Sequence, residues 1–84
     1  MDKTLLVKVL NIENDTQVIE NVKFVRILSK KYNLLIMRDY LPIIGELEGS
    51  VEIVGLESIK YQNIKGYYIN RNNEFSLIIK GIYE

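Results

Sequence analysis

Apolar and polar side chains alternate along this chain in short runs, the spacing of half-buried β-strands. Thr4 to Leu10 places Leu5, Val7 and Val9 on one face and Lys8 on the other, which predicts a first strand. Asn11 to Asp15 predicts a turn, because Asn and Asp side chains bond the local backbone and tolerate left-handed conformations. Gln17 to Ile19 predicts a short strand, and Val22 to Leu28 a stronger one centred on Phe24 and Val25. The polar tip SKKYN, Ser29 to Asn33, separates it from Leu34 to Met37, a continuous apolar run short enough for a strand.

Pro42 lacks an amide donor and holds Leu41 extended, so it suits the start of a strand or an edge. Gly49 predicts a turn into Ser50 to Val54, a clean alternation, and Gly55 a further turn or bulge. Ile59 to Tyr61, Gly66 to Asn70 and Phe75 to Lys80 complete the strands, with Asn70 to Asn73 as a hairpin tip. No long segment carries the 3.6-residue helical period. The pattern predicts an all-β domain over residues 1–84, a small antiparallel β-sandwich of about eight to ten short strands.

Composition strengthens this reading. Thirteen Ile, seven Val and six Tyr stand against no Ala, and β-branched and aromatic side chains favour sheets where Ala favours helices. The chain has no Cys and no His, which removes disulfides, thiolate metal sites, the commonest general base and the usual nucleophile pairs. Eleven basic residues balance eleven acidic ones, without the excess that phosphate-backbone binding draws on. The N-terminal run MDKTLLVKVL has an acidic second residue and too short an apolar run for a signal peptide, and no stretch reaches the length of a membrane span. The expected address is the cytoplasm.

Two groups invite a chemical reading. Glu46, Glu48 and Glu52 cluster in sequence, but their alternation with apolar neighbours predicts the wet side of a strand rather than a split acid–base pair. Tyr61, Tyr67 and Tyr68 sit beside Lys60 and Lys65, as in stacking platforms for single-stranded nucleic acid. Adjacent strand residues face opposite ways, however, so Tyr67 and Tyr68 cannot share a platform. Glycine-rich phosphate loops are absent from the sequence. No enzyme activity, cofactor or metal is expected.

Read together, VKFVRILSKKYNLLIMRDYLPIIGELEGSVEI (Val22 to Ile53) and KGYYINRNNEFSLII (Lys65 to Ile79) resemble the N-terminal β-sandwich domain of the F-type ATP synthase epsilon subunit. Leu34, Ile36 and Met37 match that family's first apolar positions, and Leu41-Pro42-Ile43-Ile44 match its Ala-Pro-Leu-Leu. Leu47, Gly49, Val51 and Ile53 match the strand that follows. LLVKVLNIEN (Leu5 to Asn14) looks like its opening strand. The chain departs from the family at Tyr32, Asn33, Leu35, Arg38, Tyr40 and Lys65, and nothing in it matches the family's C-terminal helical hairpin.

The resemblance implies a non-catalytic docking module, a minimal central-stalk subunit that contacts gamma and the membrane rotor ring. The braking and nucleotide-binding roles of the helical hairpin do not carry over. Candidate partner-binding residues are Lys31, Tyr32, Asn33, Arg38, Asp39, Tyr40 and Leu41, and the membrane is reached only indirectly, at its inner face. The alternatives are a homo-oligomeric structural protein and, further off, a nucleic-acid-binding small barrel.

Overall fold

The structure, a computed structural model, describes residues 4–11 and 14–82. Its strands are β1 (Leu5–Asn11), β2 (Asn14–Val22), β3 (Phe24–Ser29), β4 (Asn33–Ile36), β5 (Ile43–Val54), β6 (Ser58–Arg71) and β7 (Glu74–Ile82). They form one hydrogen-bonded sheet in the order β2-β1-β7-β6-β5-β3-β4. Every neighbouring pair is antiparallel except β1 and β7, which run parallel, with Val7 opposite Phe75 and Val9 opposite Leu77.

All seven strands contribute to a single apolar cluster that includes Val7, Val22, Val25, Ile36, Val51, Tyr68 and Phe75. A sheet face is dry only when something covers it, and no helix occurs among the described residues. The sheet therefore covers itself, by bending along its two longest strands. The bend is visible in the register. Between Gly49 and Val51 on β5, β6 runs from Ile64 to Tyr61 and so carries one extra residue. Asn63 absorbs it at φ 56°, a conformation open to Asn through its short polar side chain.

Below the bulge Ile59 and Tyr61 face inward; above it Ile64, Tyr68 and Asn70 do. One layer thus holds β4, β3, Gly49–Val54 of β5 and the first part of β6. The other holds Ile43–Glu48, the rest of β6, β7, β1 and β2. Gly49 sits at the crossing, where a Cβ would run into the Leu28 carbonyl. A second bulge on β2 uses Asn21, at φ 59°.

The all-β expectation holds, with differences that have physical causes. Strands number seven among the described residues because two pairs of predicted segments fuse. Gly49 lies within β5 rather than in a turn, and Ile59 to Asn70 belongs to one bent strand, β6. Conversely, Val22 to Leu28 divides at Lys23, whose amide bonds the carbonyl of Val54, the last residue of β5. The sheet is mixed rather than wholly antiparallel, since strand direction leaves no trace in alternation. Pro42 does precede a strand directly, and the hairpin tip narrows to Asn72-Asn73, at φ 52° and 61°, as a two-residue type I′ turn requires. The predicted turn at Asn11 to Asp15 has residues 12 and 13 outside the described residues.

Candidate docking site

The glutamates of β5 occupy its outer face. Glu48 bonds Lys30 at 3.1 Å, and Glu52 lies 4.0 Å from Arg26, its cross-strand neighbour. The Lys30 hydrogen bond holds the Glu48 carboxyl below its usual value, helped by the charges of Lys30, Lys65 and Lys31 and opposed by partial desolvation. Exposed pairs of this kind are screened by solvent and contribute little to stability. The three carboxylates are solvated, and among the described residues no three acidic side chains converge on a metal-sized site.

The tyrosines divide as alternation predicts. Tyr68 is buried and Tyr67, its neighbour, lies on the outer face with the Lys80 ammonium 5.0 Å above its ring. The Tyr32 hydroxyl donates to the Glu46 carbonyl, and the hydroxyls of Tyr32 and Tyr68 are 2.9 Å apart. A phenol has one proton, so with that of Tyr32 committed to Glu46, Tyr68 donates to Tyr32. Burial, and then this hydrogen bond, raise the Tyr68 phenol above its ordinary pKa.

The candidate partner residues fall into two segments at opposite ends of β4. Lys31 is exposed at the β3–β4 turn, where Ser29 N–H bonds the Tyr32 carbonyl at 2.9 Å, and Asn33 is exposed as the first residue of β4. Arg38, Asp39 and Leu41 are exposed in the β4–β5 connection, Leu41 at 76 %. Asp39 adopts φ 67° and is tied to the β6–β7 hairpin: its amide donates to Asn73 Oδ1 at 2.6 Å, and Asn73 Nδ2 returns to its carboxylate at 3.4 Å. Asn70, itself buried, adds a bond to the Leu41 carbonyl at 3.4 Å. Tyr32 and Tyr40 turn inward instead. Both are half-buried against the core, and both act electrostatically on Tyr68.

A groove of about 850 Å³ runs beside this site. Its walls are the β3–β4 turn, with Lys30, Lys31 and Tyr32, and the stretch Ile43–Glu48; Lys65, Tyr67 and Lys80 close its outer side. The outer face of the same layer is apolar in two adjoining rows: Tyr67, Ile78 and Leu10 in register, and Ile44 opposite Ile69. Ile44 is 76 % exposed. Lys30, Ile44, Lys65, Tyr67 and Lys80 are not among the candidate partner-binding residues named from the sequence. Only the cross-strand register assembles them.

In fold, the chain resembles part of an ATP synthase. It superposes on a chain from the cryo-EM structure of the Tetrahymena thermophila mitochondrial ATP synthase central stalk and c-ring with a TM-score of 0.78. The match covers 99 % of this chain and 68 % of that one, at 10 % sequence identity. No family model matches the chain, and no curated protein sequence does. The stalk-like likeness thus bears on the path of the backbone, over essentially the whole chain. The identities of the groove and turn residues are this chain's own.

Proposed function

We propose that this chain is a non-catalytic docking module, related to the epsilon N-terminal domain and working as a minimal central-stalk subunit of a rotary ATP synthase. One observation carries the reading: its bent two-layer sheet follows a central-stalk and c-ring chain over 99 % of its length. A rigid module of this kind needs no reactive group. Its work is to hold a preset surface against neighbours that turn under load.

The surface is built for that. Asp39, Asn70 and Asn73 fix the β4–β5 connection, so Leu41 is presented without an ordering cost at the moment of binding. Lys31 and Asn33 at one end of β4, with Arg38, Asp39 and Leu41 at the other, form two contact points, directed at gamma and the rotor ring. Tyr32 and Tyr40 support them from behind. The module sits in the cytoplasm at the inner face of the membrane, which it meets only through these partners.

Affinity purification of the tagged chain from its own cells, followed by identification of co-purifying subunits, tests the reading. Recovery of gamma and ring subunits, lost on Leu41→Asp, is the expected result. Absence of both from the purified material, in cells that also hold a full-length epsilon subunit, overturns the stalk assignment and favours a homo-oligomeric protein with the same fold.

A further inference from the structure

From Gly49 to Val54, β5 is paired with β3 on one side and β6 on the other; from Ile43 to Glu48 it is paired with β6 alone. Its Glu48 carbonyl accepts the Lys30 amide at 3.0 Å, and its Glu46 carbonyl accepts the Tyr32 hydroxyl. The even-numbered residues of this stretch therefore direct their backbone groups away from β6. In an antiparallel strand the N–H and C=O of one residue point the same way. It follows that the N–H and C=O of Ile44, and the N–H of Glu46, face the groove.

An unpaired strand edge is a template for another strand unless something blunts it. Here Tyr32 closes one carbonyl, and no strand lies alongside Ile44 among the described residues. The rim is basic. Lys30, Lys31, Lys65 and Lys80 stand against Glu46 and Glu48, and Glu48 is already engaged by Lys30. The groove thus carries a net positive charge on a chain whose overall charge is zero.

We propose that this groove takes an extended, acidic segment of a partner protein, which adds to β5 as a further antiparallel strand beside Ile43–Leu47. Backbone bonds to Ile44 and Glu46 set the register, and acidic side chains of the segment meet Lys31, Lys65 and Lys80. The Tyr32 hydroxyl marks where the pairing stops. A second copy of this chain fits the edge less well, because two-fold pairing of the same edge brings one lysine rim against the other.

The test is an NMR titration of the intact chain with a short synthetic peptide of alternating glutamate and valine at low salt. The Ile44 and Glu46 amide signals shift and gain protection from exchange. N-methylation of alternate peptide residues removes the donors and weakens binding about tenfold, the worth of one good hydrogen bond. Replacing the peptide's glutamates with lysine weakens it by at least as much. Ile44→Pro removes the groove-facing amide without touching the β6 ladder and lowers affinity by a similar factor, and unchanged Val51 and Leu77 signals certify its fold. If that variant unfolds, the N-methylated peptide alone decides.

Equal binding by the N-methylated peptide overturns the proposal, as does a response confined to the terminal edge strands, β2 or β4. Self-association through the Ile43–Leu47 edge in sedimentation, or an unmoved Ile44 amide at millimolar peptide, does the same. The titration uses no stalk subunit, so its failure is separate from that of the affinity purification.

Discussion

The two halves of β5 use one residue pattern in two settings. In Ile43–Glu48 and in Gly49–Val54 the odd-numbered side chains face inward and the even-numbered ones outward. Yet the second half lies between two strands while the first has a neighbour on one side only. The outward face registers this: Val54, in the second half, is half-buried, whereas Ile44, in the first, is 76 % exposed. Alternation decides which face of a strand is dry. How many neighbours the strand has depends on where the next strand ends, and β3 ends at Ser29, opposite Gly49.

This contrast can be broken at several strengths. The largest effect falls at the junction of the halves. Gly49→Ala drives a Cβ into the Leu28 carbonyl, which is backbone and cannot swing aside, so it costs about 4 kcal/mol in urea unfolding. That approaches the whole stability of a chain this size, about 4 to 12 kcal/mol. A loss under about 1 kcal/mol would mean that the layers do not meet there. Next comes a pair of truncations. Ile53→Ala, in the enclosed half, loses about 3 kcal/mol. Ile44→Ala, in the open half, stays within about 0.5 kcal/mol of the parent. Similar losses at both sites would erase the distinction between a dry inward face and an open outward one.

Gly45→Ala has a smaller cost, about 2 kcal/mol, because its Cβ meets only the phenol end of Tyr68, opposite it on β6. In a Tyr68→Phe background that cost falls by about 1 kcal/mol, the coupling expected of residues in contact. Additive effects in the double-mutant cycle would place the phenol elsewhere. The smallest effect is electrostatic. The folded pKa of Glu48 is depressed, so its contribution to stability is present above the ordinary glutamate range and is lost as pH falls through the lower folded value. Lys30→Gln returns the Glu48 titration, followed by carbon-detected NMR, towards the ordinary value with almost no change in melting temperature. An unmoved Glu48 would leave the hydrogen bond without its role.

Much of the fold was legible because burial imposes alternation. Leu5, Val7 and Val9, or Val51 and Ile53, announce an inward face wherever they stand. The bend was not legible, because its signature is one residue inserted into an otherwise regular run, and Asn63 reads as an ordinary polar position. The parallel pairing of β1 with β7 was hidden for a related reason: it joins distant segments and depends on no local residue.

At the site, the exposed turn residues Lys31 and Asn33 and the connection residues Arg38, Asp39 and Leu41 are visible as polar or proline-bounded interruptions. Tyr32 and Tyr40 look the same in sequence yet turn inward, because Tyr68 gives Tyr32 a hydroxyl partner and both rings pack on the core. The groove could not be read at all. It exists where a strand is missing.

The β1–β7 pairing has a consequence for how the protein is made. Val7 leaves the ribosome well before Phe75 and must wait for it before its strand has a second neighbour. Until then β1 and β2 form an isolated hairpin, marginal in water, with Leu5, Val7 and Val9 uncovered. Closure of the core is therefore a late, all-at-once event of vectorial synthesis, slow as non-local pairing is slow. A nascent chain stalled before β7 would present the apolar face of β1 to chaperones or to other chains.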